Sequence, residues 1–187
     1  NCAVTDPGIL VVDLVEKSTK REGVPFFPHE SSLRRIPWKR YCEWLDLDFI
    51  SPRWEVGRVN ELIGKSELVV TEAMHGAITA DALRVPWIPI KMNESILDFK
   101  WKDWCKSIGL EYDPVVLGRT DISYRAGKML WRIKAPIMIA KIKYIINSAN
   151  KNLSPKKVHK EKYKEIKRRM GVMFSDFEKG RLVRHNF

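Results

Sequence analysis

Cysteine is scarce in this sequence and nowhere paired: Cys2, Cys42 and Cys105 stand far apart with no C-x-x-C spacing. That argues against a disulfide framework and against a zinc site, and makes a reducing cytoplasm the expected compartment. No stretch approaches the roughly 20 apolar residues a membrane-spanning helix needs. Lys128, Arg132, Lys134, Lys141 and Lys143 interrupt the longest candidate. No basic segment followed by an apolar stretch precedes Asp6, so a secretory signal is not expected; with Asn1 in first place, the chain reads as a piece of a longer protein. Internal repeats at solenoid periods are absent as well.

What the chain does have is enough apolar material for one substantial core, with 44% hydrophobic residues in 187. It also has a divided charge. Residues 1–118 hold 15 Lys and Arg against 18 Asp and Glu, whereas residues 119–187 hold 19 against 5. An anionic partner is therefore expected for the tail alone, and the chain divides into residues 1–115, an α/β domain, and 116–187, a basic helical extension.

Within the first part the beat is strand, helix, strand, helix. Ile9–Val15 and Val24–Phe27 read as buried strands, followed by an amphipathic helix over Ser32–Leu45 with Pro37 in its first turn or kinking it. A short strand at Asp48–Ser51, a helix Val56–Ile63 closed by Gly64, a strand Glu67–Thr71 and a helix opening near His75 come next. A strand Trp87–Lys91 and a helix from Leu97 to Ile108 continue the pattern, and beyond Asp113 two helices are expected, Asp121–Ser148 and Pro155–Met170. Such alternation implies right-handed crossovers and a doubly wound parallel sheet, a Rossmann-like arrangement with ligands beyond the strand C-termini.

Ser66–Lys91 is the most informative stretch, because a buried strand there runs into a turn and then a helix whose first residues include His75 and Gly76. A helix starting at this edge offers unpaired N–H groups and a partial positive charge to a phosphate or carboxylate, and Gly76 would let that ligand approach the backbone. From spacing alone, His75 could equally be a capped or surface histidine.

The string Glu72-Ala73-Met74-His75-Gly76-Ala77-Ile78, followed by Ala80-Asp81-Ala82-Leu83-Arg84-Val85-Pro86-Trp87, resembles the signature of bacterial polysaccharide pyruvyl transferases. The likeness extends to Thr5-Asp6-Pro7-Gly8-Ile9-Leu10, Pro28-His29-Glu30, Ile50-Ser51-Pro52 and Phe99-Lys100-Trp101-Lys102-Asp103-Trp104-Cys105, in the family's order over roughly the first 110 residues. The resemblance implies the C-terminal Rossmann-like half of a two-domain, GT-B-like transferase, with the N-terminal half supplied elsewhere or by an oligomeric partner. It also implies transfer of pyruvate from phosphoenolpyruvate to two hydroxyls of one sugar, as a cyclic ketal with release of phosphate, and no metal or cofactor.

In that family the motif histidine, here His75, is expected to be the general acid, with Glu72 assisting it. Met74, Gly76 and Ala77 would line the donor site. Many relatives carry an arginine two residues before the histidine, where this chain has Ala73. The phosphate clamp is therefore sought in Arg53, Lys91 or Arg84, and sugar-binding or acid–base groups in His29 and Glu30. Asp6 reads as an ordinary turn residue, and Trp87, Trp101 and Trp104 as core rather than sugar-stacking residues.

Between Arg125 and Ile146 basic residues alternate with apolar ones, and Pro136 is expected to kink or split the helix. Two readings stand: an interfacial helix at an anionic membrane, suited to an acceptor saccharide carried on a lipid, or a face packed on the N-terminal domain. Rival functions are a glycosyltransferase using a nucleotide sugar at the same helix terminus, and an anion- or nucleic-acid-binding module built on the tail. No nucleic-acid motif supports the last.

Overall fold

The computed structural model describes residues 5–16, 18, 20–34, 36–92, 98–117 and 128–178, with side chains for all of these except 128–134 and 174–178. The expected helix starts at Leu97 and Asp121 lie outside the described residues.

A parallel sheet of four short strands forms the centre: β1 Phe26–Phe27, β2 Val69–Thr71, β3 Trp87–Lys91 and β4 Val115–Val116, in that spatial order. The expected strand around Asp48–Ser51 reduces to a single parallel bridge from Phe49 to Phe26, on the outer side of β1. Counting that bridge as the second strand of the chain gives the order 2-1-3-4-5. In such sheets the winding reverses between β1 and the next strand inward, here β2, and opens a crevice at the strand C-termini.

Alternation along each strand sends successive side chains to opposite faces, and each face has its own cover. Phe26, Val70, Ile88 and Ile90 meet Trp38, Tyr41, Cys42 and Leu45 of α2 (Trp38–Leu45), together with Ala135, Met138, Ile142 and Ile145 of α6 (Lys128–Ser148). Phe27, Val69 and Trp87 meet Ile63 of α3 (Val56–Gly64), Ala77, Ile78 and Ala80 of α4 (Met74–Ala82), and Trp101 and Trp104 of α5 (Asp98–Ser107). The three tryptophans are core: the Trp87 ring lies 6.1 Å from Trp101 and 5.3 Å from Trp104.

Several expectations are corrected. Ile9–Val15 is not a strand: Pro7–Asp13 forms a 3-10 helix, started by the Asp6 carboxylate, which accepts from the Gly8 N–H at 2.7 Å. Pro7 fixes the first helical φ, and the turn favoured for Asp6 is thus what starts the helix. Ser32–Leu45 is two helices, a single turn α1 (Glu30–Leu33) and then α2, divided at Pro37, which has no N–H to continue the ladder. In contrast, α6 runs unbroken through Pro136, which sits on its exposed face.

Residues 116–187, set apart in the sequence by charge, contribute α6 to one covering layer and α7 (Lys156–Glu178) to the other side, where Ile166 packs with Ile9, Val11 and Ala82. The loop between these helices is tied to the sheet. Asn152 forms an antiparallel bridge with Trp87, and the Ser154 N–H and hydroxyl both donate to the buried Asp81 carboxylate, the N–H at 2.7 Å and the hydroxyl at 2.6 Å.

Candidate active site

The end of β2 and the start of α4 form the centre of the site. Thr71, fully buried, accepts from the Ala73 N–H at 3.1 Å and donates to the Ala73 carbonyl at 2.8 Å, which fixes the turn between strand and helix. Ala73 is the N-cap and offers no side-chain acceptor, so no cap occupies the first turn of α4. The Gly76 and Ala77 N–H groups donate to the Ala73 carbonyl at 3.0 and 3.4 Å, which leaves the Met74 and His75 amides as the leading ones, at the positive end of the helix dipole. His75 projects from this turn and is exposed.

A cleft of about 590 Å³ opens in front of it. His75, Gly76 and Thr79 form one wall, Gly8 and Leu10 of the 3-10 helix another, and Trp54, Val59 and Asn60 a third, with Phe27 and Pro52 at the strand ends. The cleft therefore lies at the C-terminal edge, beyond the ends of β1 and β2.

Gly76 has a tighter reason to be glycine than ligand approach. A Cβ there would stand 2.6 Å from both Phe27 Cδ1 and Thr71 Oγ1, so its absence is what seats α4 on the sheet. Ala77 is fully buried in the core and does not line this cleft, and Met74 is half-buried against the same cluster. Of the expected donor-site residues, only His75 and Gly76 line the cleft.

Glu72 turns inward. Its carboxylate accepts from the His29 N–H at 3.0 Å, from the Ser32 hydroxyl and from the Met92 N–H, and Ser32 also accepts from Trp38 Nε1 at 3.0 Å. Burial pushes this carboxyl above the ordinary glutamate range, against the lowering effect of the donors. It ties together the chain segments that follow β1, β2 and β3, and among the described residues no hydrogen bond joins it to His75.

The His29 ring is exposed and caps α1, Nδ1 accepting from the Ser31 N–H at 3.2 Å. In the neutral ring the proton then resides on Nε2. Glu30 and Arg53 form an exposed bidentate pair, with 2.6 Å from Nη2 to Oε1, and the guanidinium holds the Glu30 carboxyl below its ordinary range. Lys91, at the end of β3, pairs with Asp98 at 2.7 Å. These four stand at the same edge as His75 but outside the lining of the cleft, and three of them already hold an ionic partner.

Arg84 is not at this edge. It follows α4 and precedes β3, and its guanidinium donates to the Ser154 carbonyl at 2.7 Å and to the Ser154 hydroxyl at 2.9 Å. A clamp on a ligand beside His75 is thereby excluded for it. Trp54 and Asn60 escaped the sequence reading; the only signal was the i, i+4 spacing of Trp54 and Arg58, whose guanidinium carbon lies 4.1 Å from the ring centroid.

A parallel α/β sheet covered on both faces, with an uncapped helix start and a cleft where the winding reverses, defines an α/β protein with its cleft at the C-terminal edge of its strands, the edge where such sheets bind ligands. The chain is similar to the succinoglycan biosynthesis protein ExoV of Rhizobium meliloti (strain 1021), with 42% identity over 132 residues, which is 68% of this chain and 40% of that protein. It thus spans less than half the length of this relative. No family model and no solved structure matches it.

Proposed function

We propose that this chain is the C-terminal half of a polysaccharide pyruvyl transferase of GT-B-like build, with His75 as its general acid. One observation carries the proposal: an exposed imidazole on the rim of a cleft, beside the uncapped start of α4, where the winding of the sheet reverses. Similarity to a polysaccharide-biosynthesis protein supports the same reading.

In this reading the phosphate of phosphoenolpyruvate rests on the leading amides of α4, and His75 gives its proton to the methylene carbon. The adjoining carbon becomes electrophilic and bonds to a sugar hydroxyl oxygen, which releases its proton. The bond to phosphate then breaks, the phosphate leaves, and the second hydroxyl closes the ketal with loss of its own proton. The His75 proton has entered the new methyl group; of the two hydroxyl protons, one restores the His75 imidazolium and the other departs with phosphate.

Glu72 acts here as a positioning residue, holding His29 and the ends of three strands. Arg53 reaches the phosphate by exchanging Glu30 for it, Lys91 contributes positive potential, and His29 and Glu30 contact the acceptor sugar. A lipid-carried acceptor fits the basic surface of α6 and α7. Among the described residues no helix is long and apolar enough to cross a membrane; the contact proposed here is peripheral.

Thermal shift with phosphoenolpyruvate against uridine diphosphate sugars separates this reading from a nucleotide-sugar glycosyltransferase. Stabilisation by phosphoenolpyruvate is expected; stabilisation by the nucleotide sugar alone overturns the proposal.

A further inference from the structure

A second cavity, of about 460 Å³, lies at the other end of α4, beside Ala82 and Arg84 and under the first turns of α7. At 1.5 Å per helical residue it is about 13 Å along the chain axis from His75, at the opposite edge of the sheet. Three cationic residues line it, Arg84, Lys156 and Lys160. The one carboxylate in its wall, Asp13, is already engaged by the Tyr163 hydroxyl at 2.7 Å and by Lys167 at 3.1 Å. The uncompensated charge of the cavity is therefore positive.

Arg84 is held for this position from several sides. Ser154 anchors its guanidinium, Asp81 anchors Ser154, and Arg21 donates to the Arg84 carbonyl at 2.6 Å. Its backbone lies in the left-handed region at φ 59°, which a non-glycine residue occupies only where its surroundings require it. His159 also lines the cavity. One ring nitrogen donates to the Ala82 carbonyl, while Nε2 is buried and meets no partner among the described residues. Burial and the Arg84 guanidinium favour the neutral ring, whose proton lies on the nitrogen that donates to Ala82, so Nε2 is an unpartnered acceptor that a phosphate hydroxyl or alcohol O–H of a ligand would satisfy.

We propose that this cavity is a second anion site, which takes the phosphate or pyrophosphate group of a larger molecule. The charge selects the anion, and Val12, Ala82 and the Tyr163 ring give its organic part an apolar wall. The proposal does not rest on pyruvyl transfer. The phosphate belongs to a free phosphorylated compound or to a lipid headgroup, and the two sources present the same chemistry to Arg84, Lys156 and Lys160.

The test uses the full chain and two probes, sodium pyrophosphate at constant ionic strength and phosphatidylcholine vesicles containing phosphatidic acid. The His159 Cε1–H resonance and the heat of binding report pyrophosphate; sedimentation reports the vesicles. Two double variants remove equal charge: Lys156→Gln with Lys160→Gln in the cavity wall, and Lys102→Gln with Lys106→Gln on the exposed face of α5. The expected result is saturable binding of at least one probe, weakened about tenfold or more by the cavity pair and less than about twofold by the control pair. Discrimination with pyrophosphate alone assigns a free phosphorylated ligand, and discrimination with vesicles assigns a lipid headgroup. If neither probe distinguishes the two variants, or neither binds, the basic residues act only as a diffuse field and the proposal fails.

Discussion

Replacing Gly76 by alanine tests how His75 is held in place. The new methyl carbon would stand 2.6 Å from Phe27 Cδ1 and 2.6 Å from Thr71 Oγ1, about 1 Å inside ordinary contact distance. Neither neighbour can yield cheaply: Thr71 is fixed by its hydrogen bonds to Ala73, and Phe27 is 6% exposed within the core. Overpacking of this kind costs about 1–3 kcal/mol, against at most about 1 kcal/mol gained from the better helix propensity of alanine. The net expectation is a loss of about 1–2 kcal/mol, or roughly 2–8 °C in Tm for a chain of this size. Gly171 is the matched control, since it lies within α7 with nothing near its missing Cβ, so Gly171→Ala should be neutral or stabilise by up to about 1 kcal/mol. Urea unfolding monitored by circular dichroism, with m unchanged, measures both. If Gly76→Ala is as stable as the parent, or moves in the same direction as Gly171→Ala, the close seating of α4 on the sheet is refuted.

Three further outcomes are expected. His75→Ala should leave stability within about 0.5 kcal/mol because the side chain is exposed, while pyruvyl transfer, measured as acceptor-dependent phosphate release, falls about 10²–10⁴-fold. Asp81→Ala strips the acceptor from the Ser154 N–H and hydroxyl in a buried setting and should cost about 2–4 kcal/mol in urea unfolding, with the loop from 149 to 155 losing hydrogen-exchange protection. Glu72 carries a folded-state pKa raised by burial, so the folded protein binds the proton more tightly than the unfolded chain does. Its contribution is fully present below the ordinary glutamate range and is lost as pH rises through the folded value. The stability of Glu72→Gln relative to the parent should therefore improve as pH rises from that range toward neutrality, and a flat or opposite difference across pH-dependent urea midpoints would contradict the burial argument.

Much of the sheet was legible because fully buried parallel strands leave a strong local mark: Trp87–Lys91 has the expected limits, and Val69–Thr71 and the opening of α4 fall inside theirs. Ile9–Val15 misled because an apolar run of that length is the same for a buried strand and for a short helix with one face on the core. The deciding feature was the Asp6-Pro7-Gly8 start, which caps a helix. At Asp48–Ser51 only one bridge forms, so its strand content was set by its neighbours rather than by its own residues. The apolar residues of the tail were read as a membrane-facing surface or as a face for another domain; in the structure Ala135, Met138, Ile142 and Ile145, spaced by three and four residues, pack α6 on this chain's own sheet.

The candidate site divides in the same way. His75 could be read because it follows a buried strand at a helix start, and Arg84 was misplaced because sequence distance does not tell one edge of a sheet from the other. Asn60 reaches the cleft through the packing of α3, which no local pattern reports, while Trp54, just before that helix, left only its spacing to Arg58 as a signal.

The central claim is that the start of α4 and His75 together bind an enol phosphate. Its most direct test is an NMR titration of the chain with phosphoenolpyruvate, following the His75 imidazole and the amides of residues 74–77. Saturable shifts at these positions, reduced when Met74-to-Ala77 amides are probed in competition with inorganic phosphate, are the expected result. Unchanged His75 and amide signals with phosphoenolpyruvate, while a uridine diphosphate sugar moves them, would contradict it.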